Sequence, residues 1–199
     1  MLIAVTGGIG AGKSVVCRVL RTMGYPVFDC DSEAKALMDA DCDIKRRIAI
    51  EIDESAVCCG NIDRRRLAEI VFADVAKLEI LNSIVHGAVR QRIAEWEQTL
   101  AGRLLFVETA ILFQSGLNRL VDEEWRVEAP RDMRVERVMM RNAMTREQVE
   151  ARIEAQEYVV SPDEPKPHLV RLFNDERHSL LSQILVRISN LSPAESVMP

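Results

Sequence analysis

No stretch of the chain stays apolar for long. Its unbroken apolar runs, such as Met1 to Val5 and Leu104 to Val107, are four or five residues long, against the ~20 that a membrane helix requires. No bilayer span is expected. Basic excess is also missing: 26 Lys and Arg against 31 Asp and Glu leave a net charge of −5. That argues against broad binding to nucleic-acid backbones and confines any anion site to a focal pocket. The cysteines Cys17, Cys30, Cys42, Cys58 and Cys59 are odd in number and contain no C-x-x-C spacing, which removes a disulfide framework and a zinc knuckle. They are expected to be reduced thiols packed as small hydrophobes. The histidines His86, His168 and His178 are too scattered to form a ligand set, so any metal should be held by oxygens. No repeat of ~20 to 50 residues and no low-complexity tract is present, which excludes solenoids and arrays. The N-terminus carries no basic leader, and the cytoplasm is the expected location.

What remains is globular in composition: 48% hydrophobic and 29% charged residues over 199 positions. That is enough apolar surface for one core, and the expectation is a single domain over 1–199 with an inserted lobe. Met1 to Val5 is short, apolar and ended by glycines, and reads as a buried strand. After it Val15, Val16, Val19, Leu20 and Met23 recur at helical spacing until Gly24. Pro26-Val27-Phe28 opens a second strand that ends at Asp29-Cys30-Asp31. From about 32 to 101 the pattern is helical, broken near Cys59-Gly60-Asn61, with Asp63 as an N-cap; this is the inserted lobe. Strand character returns at Leu104 to Val107 and at Trp125 to Glu128. Arg131 to Asn142 and Thr145 to Glu157 form a helical hairpin, the second helix opening with the capping box Thr145-x-x-Gln148; the lid spans about 131–158. A proline-rich loop, an extended His168 to Phe173 and a last helix over Asp175 to Ser189 complete the chain. The alternation predicts an α/β fold, a parallel sheet flanked by helices with ligands at the strands' carboxyl ends.

Gly7-Gly8-Ile9-Gly10-Ala11-Gly12-Lys13-Ser14 satisfies G-x-x-x-x-G-K-[ST] and stands between a strand and a helix, as that motif requires. Backbone amides released by the glycines and the start of the helix can surround a phosphate chain, Lys13 can reach its terminal phosphates, and Ser14 can ligate Mg²⁺. A P-loop fold binding a nucleoside triphosphate with Mg²⁺ follows, with Gly8, Ile9, Gly10, Ala11, Gly12, Lys13, Ser14 and Val15 as the nucleotide-contacting set.

Asp29 and Asp31 are two apart, so on an extended strand end they point the same way. One can orient Mg²⁺ and the other accept a proton from an attacking hydroxyl; alternatively Asp31 caps the next helix and Asp29 is solvated. Arg134, Arg137 and Arg141 share one helical face and suit a lid that closes over a triphosphate and excludes water. Surface ion pairing with Glu136, Glu147 and Glu150 is the competing reading. Arg64-Arg65-Arg66 either starts a solvated helix or steers an anionic substrate. Glu108 either faces Mg²⁺ or occupies a turn. A GTPase-type switch reads guanine through Asn-Lys-x-Asp, and no Asn-Lys dipeptide occurs here; another P-loop nucleoside or small-molecule kinase remains open.

Taken together, Thr6 to Ser14, Val27-Phe28-Asp29-Cys30-Asp31, Asp63-Arg64, Ile84-Val85-His86 and the segment Arg137 to Gln156 resemble the bacterial dephospho-coenzyme A kinase family over nearly the whole chain. The resemblance implies ATP-dependent phosphorylation of the ribose 3′-hydroxyl of dephospho-coenzyme A, with no nucleic-acid or membrane partner. It also implies Asp31 as catalytic base and Lys13, Ser14, Arg137 and Arg141 on phosphates and Mg²⁺, Arg141 taking part in transfer; the spacing reading leaves Asp29 for the metal. His86 would contact the acceptor, alternatively capping carbonyls at a helix end, and Asn174 would lie near the nucleotide; Arg64, from the basic run, is the further candidate for the acceptor. Two segments depart from the family's usual pattern: Val85-His86-Gly87 stands where Leu-His-Pro is usual, and Glu108-Thr109-Ala110-Ile111-Leu112-Phe113-Gln114 stands where an acidic residue before Pro-Leu-Leu-Phe-Glu is usual.

Overall fold

The computed structural model describes residues 1–156 and 160–191. The last residues of the expected lid, 157 and 158, lie outside them. Strand β1 (Leu2–Thr6) is buried at all five positions. A strand covered on both faces has no reason to alternate apolar with polar residues, and this one does not. It lies at the centre of a five-stranded sheet with β2 (Val27–Asp29), β5 (Leu105–Glu108), β6 (Glu123–Glu128) and β7 (His168–Phe173), in the order β2-β5-β1-β6-β7. β1 runs parallel to β5, with Ala4 opposite Val107, and parallel to β6, with Thr6 opposite Arg126; β6 runs parallel to β7.

The chain divides into two compact units. The first holds Met1–Val27, Leu104–Gln114 and the described residues from Asn118 onward; the second holds Phe28–Arg103 and Ser115–Leu117. In the first, helix α1 (Lys13–Thr22) turns Val16, Cys17 and Leu20 onto Ile3, Phe106, Trp125 and Leu172, and Ile184 and Ile188 of α8 (Leu180–Leu191) join the same core. Phe106 and Trp125 meet edge to face with centroids 5.2 Å apart. Helices α6 (Arg131–Asn142) and α7 (Arg146–Ala155) form a hairpin with its own small core of Val135, Val138, Val149 and Ile153. The capping box at Thr145 and Gln148 is formed on both sides, and Arg131 to Glu154 and Arg146 to Asp132 pair the two helices.

The second unit is α2 (Cys30–Ala40), α3 (Cys42–Glu51), a two-residue-strand hairpin of β3 (Val57–Cys58) and β4 (Asn61–Ile62), α4 (Arg64–Ala73) and α5 (Val75–Thr99). Each helix starts on an aspartate whose side chain accepts backbone N–H groups: Asp29, Asp41, Asp63 and Asp74. Ile44, Ile48, Leu67, Val71 and Ile84 close its core.

Four expectations change. The break at Cys59-Gly60-Asn61 is a β-hairpin, because Cys59 and Gly60 both take positive φ and turn the chain back on itself. The last helix starts at Leu180, not Asp175, because Asp175 accepts the N–H groups of Arg177 and His178 in a local turn and Glu176 is left-handed at φ 64°. Cys17 and Cys30 are buried as expected, but Cys42, Cys58 and Cys59 are exposed. And Asp31 does not extend a strand end: β2 stops at Asp29 and Asp31 sits in the first turn of α2, so the two carboxylates do not share the period-two direction of a strand.

Candidate active site

Helix α1 begins differently from the helices of the second unit. Its N-cap, Gly12, is left-handed at φ 104° and offers no side chain, and no acidic residue occupies its first turn. Its leading N–H groups and the positive end of its dipole therefore meet no carboxylate of their own, which is the condition for taking up an external anion. The loop before it is turned by an Ala11 N–H bond to the Gly8 carbonyl at 3.1 Å. Lys13 Nζ donates back to the Gly7 carbonyl at 2.7 Å and reaches that of Gly8 at 3.5 Å, so the ammonium is held against the first residues of the loop. Ser14 and Val15 follow on the exposed side of α1.

The hairpin α6–α7 lies against this loop. Arg134 Nε donates to the Ile9 carbonyl at 2.9 Å, and the Ile9 N–H donates to Gln156 Oε1 at 2.7 Å. Arg137 donates through both terminal nitrogens to the Asn174 carbonyl, at 3.1 and 3.2 Å, while Asn174 Nδ2 donates to the Ala11 carbonyl at 2.8 Å. Close approach, as well as conformation, explains two glycines. A Cβ on Gly10 (φ 78°) would collide with the Arg134 backbone, and one on Gly12 would collide with the Asn174 side-chain amide; both positions also sit where an L side chain is strained. Arg141, one turn beyond Arg137, is exposed and donates to Asn142 Oδ1 at 2.9 Å. The spacing places three arginines on one face, yet Arg134 and Arg137 make these bonds because they lie nearer the start of α6, which follows β6.

Below the loop, Thr6 Oγ1 donates to the buried Glu124 at 2.6 Å, and Arg126 forks onto both Glu124 oxygens at 2.9 Å. A buried carboxylate needs such partners. The three together fix the last residue of β1 immediately before Gly7. Gln156 and Glu124 are the residues sequence reasoning missed: a glutamine at a helix end and a glutamate in an alternating strand carry no local signal.

In the second unit, Asp29 accepts the Ser32 N–H at 3.0 Å and the Ser32 hydroxyl at 2.9 Å. The cap is thus Asp29 and not Asp31, the reverse of the alternative weighed from sequence. Asp31 is exposed. His86 stands in the middle of α5, not at a helix end, half-buried, and burial first and the neighbouring Arg90 second hold its imidazole below the usual 6.5. Arg90, one turn on, donates to the Ser115 carbonyl. Arg64 is exposed and paired with Asp39 at 2.7 Å. Glu33 and Arg92 pair at 3.2 Å across α2 and α5, on the wall of a cavity of about 440 Å³ that Leu37, Ala88 and Gln91 also line, within the size range of small-molecule sites.

A parallel sheet whose first strand delivers a glycine loop, a lysine and an uncapped helix, with an arginine-bearing hairpin on the loop, defines a P-loop phosphotransferase of the kinase type. The family model for dephospho-CoA kinase matches residues 1–164, and the chain belongs to that family. It is 40% identical over 155 residues to the dephospho-CoA kinase of Porphyromonas gingivalis, covering 78% of this chain and 77% of that one. To the dephospho-CoA kinase of Thermus thermophilus it is 39% identical over 167 residues, covering 83% and 78%. The crystal structure of TT1252 from Thermus thermophilus superposes with a TM-score of 0.74 at 34% identity, covering 97% of this chain and 98% of the other. A dephospho-CoA kinase structure from Campylobacter jejuni shares the fold at a TM-score of 0.66 and 22% identity, over 96% of each chain. Among the described residues no helix is long and apolar enough to cross a membrane.

Proposed function

We propose that this chain transfers the γ-phosphoryl group of ATP to the ribose 3′-hydroxyl of dephospho-coenzyme A, giving coenzyme A and ADP. The observation that carries the reading is the phosphate loop itself: Lys13 bonded to the Gly7 carbonyl at 2.7 Å and an α1 that starts without a side-chain cap or an acid, in a chain of this family. The loop from Gly8 to Val15 receives the triphosphate, with the Ile9 N–H held by Gln156 and the Ala11 N–H by the Gly8 carbonyl. Lys13 follows the charge that builds on the transferring group, and Arg137 with Arg141 neutralises it from the lid, residues 131–158. Asn174 borders the nucleotide. The helical lobe, residues 32–101, receives the acceptor through Arg64 and His86. Asp31 takes the proton from the 3′-hydroxyl as its oxygen attacks phosphorus in line and ADP departs.

The donor set suits magnesium held the way phosphotransferases hold it. Among the described residues no cluster of three His, Cys, Asp or Glu side chains is poised for a metal, and magnesium in such sites takes one or two protein oxygens and fills the rest with phosphate and water. Ser14 supplies a hydroxyl beside the loop. Asp29 fits less well, since both its oxygens already bond Ser32, and would act through water. Ser14, with Asp29 through water, would hold the ion, which would supply charge neutralisation on the phosphates. The reading places the work in the cytoplasm, where thiols stay reduced.

The test is direct. Incubate the chain with Mg-ATP and, separately, dephospho-coenzyme A, adenosine, thymidylate and shikimate, then measure ADP and product mass. ADP formed with dephospho-coenzyme A, together with coenzyme A by mass, is the expected result; ADP formed only with another acceptor overturns it.

A further inference from the structure

We propose that Gln156 is a positioning residue of the phosphate loop: its side-chain carbonyl, with Arg134, holds the two peptide planes flanking Ile9 in the arrangement that receives a triphosphate. The inference rests on reading that loop as the triphosphate site. The Ile9 N–H belongs to the Gly8–Ile9 peptide and donates to Gln156 Oε1 at 2.7 Å; the Ile9 carbonyl belongs to the Ile9–Gly10 peptide and accepts from Arg134 Nε at 2.9 Å. The Ile9 side chain packs on the lid core of Val135, Val138, Val149 and Ile153. One residue at the crown of the loop is thus fixed through its donor, its acceptor and its side chain, all by the lid hairpin.

A loop with glycine on both sides of Ile9 is costly to order. If that cost fell at binding, it would subtract from affinity for ATP; ordering the loop beforehand removes the loss. Gln156 can do this because it is itself anchored. It is the C-cap of α7, its N–H bonds the carbonyls of Ile153 and Glu154, and Glu154 pairs with Arg131 of α6 at 3.0 Å. The residue type matters as well. Glutamate would accept the Ile9 N–H more strongly, but it would set a negative charge against a loop shaped for an anion. A neutral amide gives the bond without the repulsion.

Calorimetry with Mg-ATP, without any acceptor, on the full chain tests this apart from the acceptor assignment. Gln156→Leu keeps the shape and removes the acceptor oxygen; Gln156→Glu keeps the oxygen and adds charge. For Gln156→Leu we expect Mg-ATP affinity about three- to tenfold lower, the range for one neutral hydrogen bond. For Gln156→Glu we expect weaker binding at low salt that recovers toward wild type as ionic strength rises; a merely structural part for residue 156 would show no such recovery. Equal or tighter binding by Gln156→Leu overturns the proposal, because the side chain would then be competing with phosphate for the Ile9 N–H. So does a salt-independent defect in Gln156→Glu. Should wild type bind no triphosphate at all, the loop assignment falls and this inference with it; should wild type bind and Gln156→Leu match it, only the inference falls.

Discussion

Asn174 reaches back across 163 positions of sequence to bond Ala11, its Nδ2 donating to the loop carbonyl at 2.8 Å, while its own carbonyl is held by Arg137. The strand β7 that ends one residue earlier thereby fixes the floor of the phosphate loop. Two substitutions separate space from bonding. Gly12→Ala puts a methyl into the Asn174 amide at a φ that L residues avoid, and should abolish ATP binding in calorimetry. Asn174→Ala leaves Gly12 room but strips the Ala11 carbonyl of its donor. It should weaken ATP by about two- to tenfold, the scale of a single neutral hydrogen bond. Gly12→Ala binding as well as wild type would show that the loop tolerates displacement.

Lys13 is expected to matter for turnover and little for folding. Its ammonium bonds loop carbonyls, and removing a preorganised donor from developing charge costs about 10²- to 10³-fold in kcat. Lys13→Ala should therefore lose at least that much activity with a melting temperature within a few degrees of wild type. Retention of more than about a tenth of wild-type kcat would remove the lysine from the transfer step.

The two carboxylates at the start of α2 should part company under substitution. Asp29 caps the helix through Ser32, so Asp29→Ala should cost about 0.5–2 kcal/mol of stability, read by denaturant melts. Asp31 bears no such bond to the helix start, and Asp31→Asn should leave stability near wild type. In the proposed role of proton acceptor, its loss should lower kcat by about 10²- to 10⁴-fold with ATP affinity unchanged. The reverse pattern would exchange the two roles.

The phosphate loop was legible because its chemistry is local: eight consecutive residues carry the glycines, the lysine and the serine, and the strand and helix on either side are written in short apolar periodicities. The capping box at Thr145 and the cap at Asp63 were legible for the same reason. What failed to show in the sequence was set by distance or by a change of backbone state. Gln156 meets Ile9 across 147 positions, and no spacing rule announces such a partner. Asp29 and Asp31 look alike as a pair, and only the switch from strand to helix between them decides which one caps. The hairpin at Cys59 and Gly60 hid inside a helical stretch because strands of two residues have no periodicity to read.

His86 gives a prediction that pH can test. Its imidazole titrates below the usual 6.5 because burial disfavours the charged form and Arg90 adds repulsion. As pH falls through about 6.5 the unfolded chain therefore takes up a proton that the folded chain still refuses. Where the unfolded state binds more protons, stability rises with pH, so this histidine makes the protein less stable as pH drops from about 7 toward the folded-state pKa, and contributes no slope above that window. His86→Gln, which cannot be protonated, should melt with a shallower pH dependence between about pH 7 and 5 and parallel wild type at higher pH. If His86 also touches the acceptor, the same variant raises KM for dephospho-coenzyme A at pH 8, where the imidazole is neutral in both folded and unfolded chains, and leaves KM for ATP alone. Melting curves of the two proteins that stay parallel from pH 8 to pH 5 would show that the imidazole does not change its charge on folding.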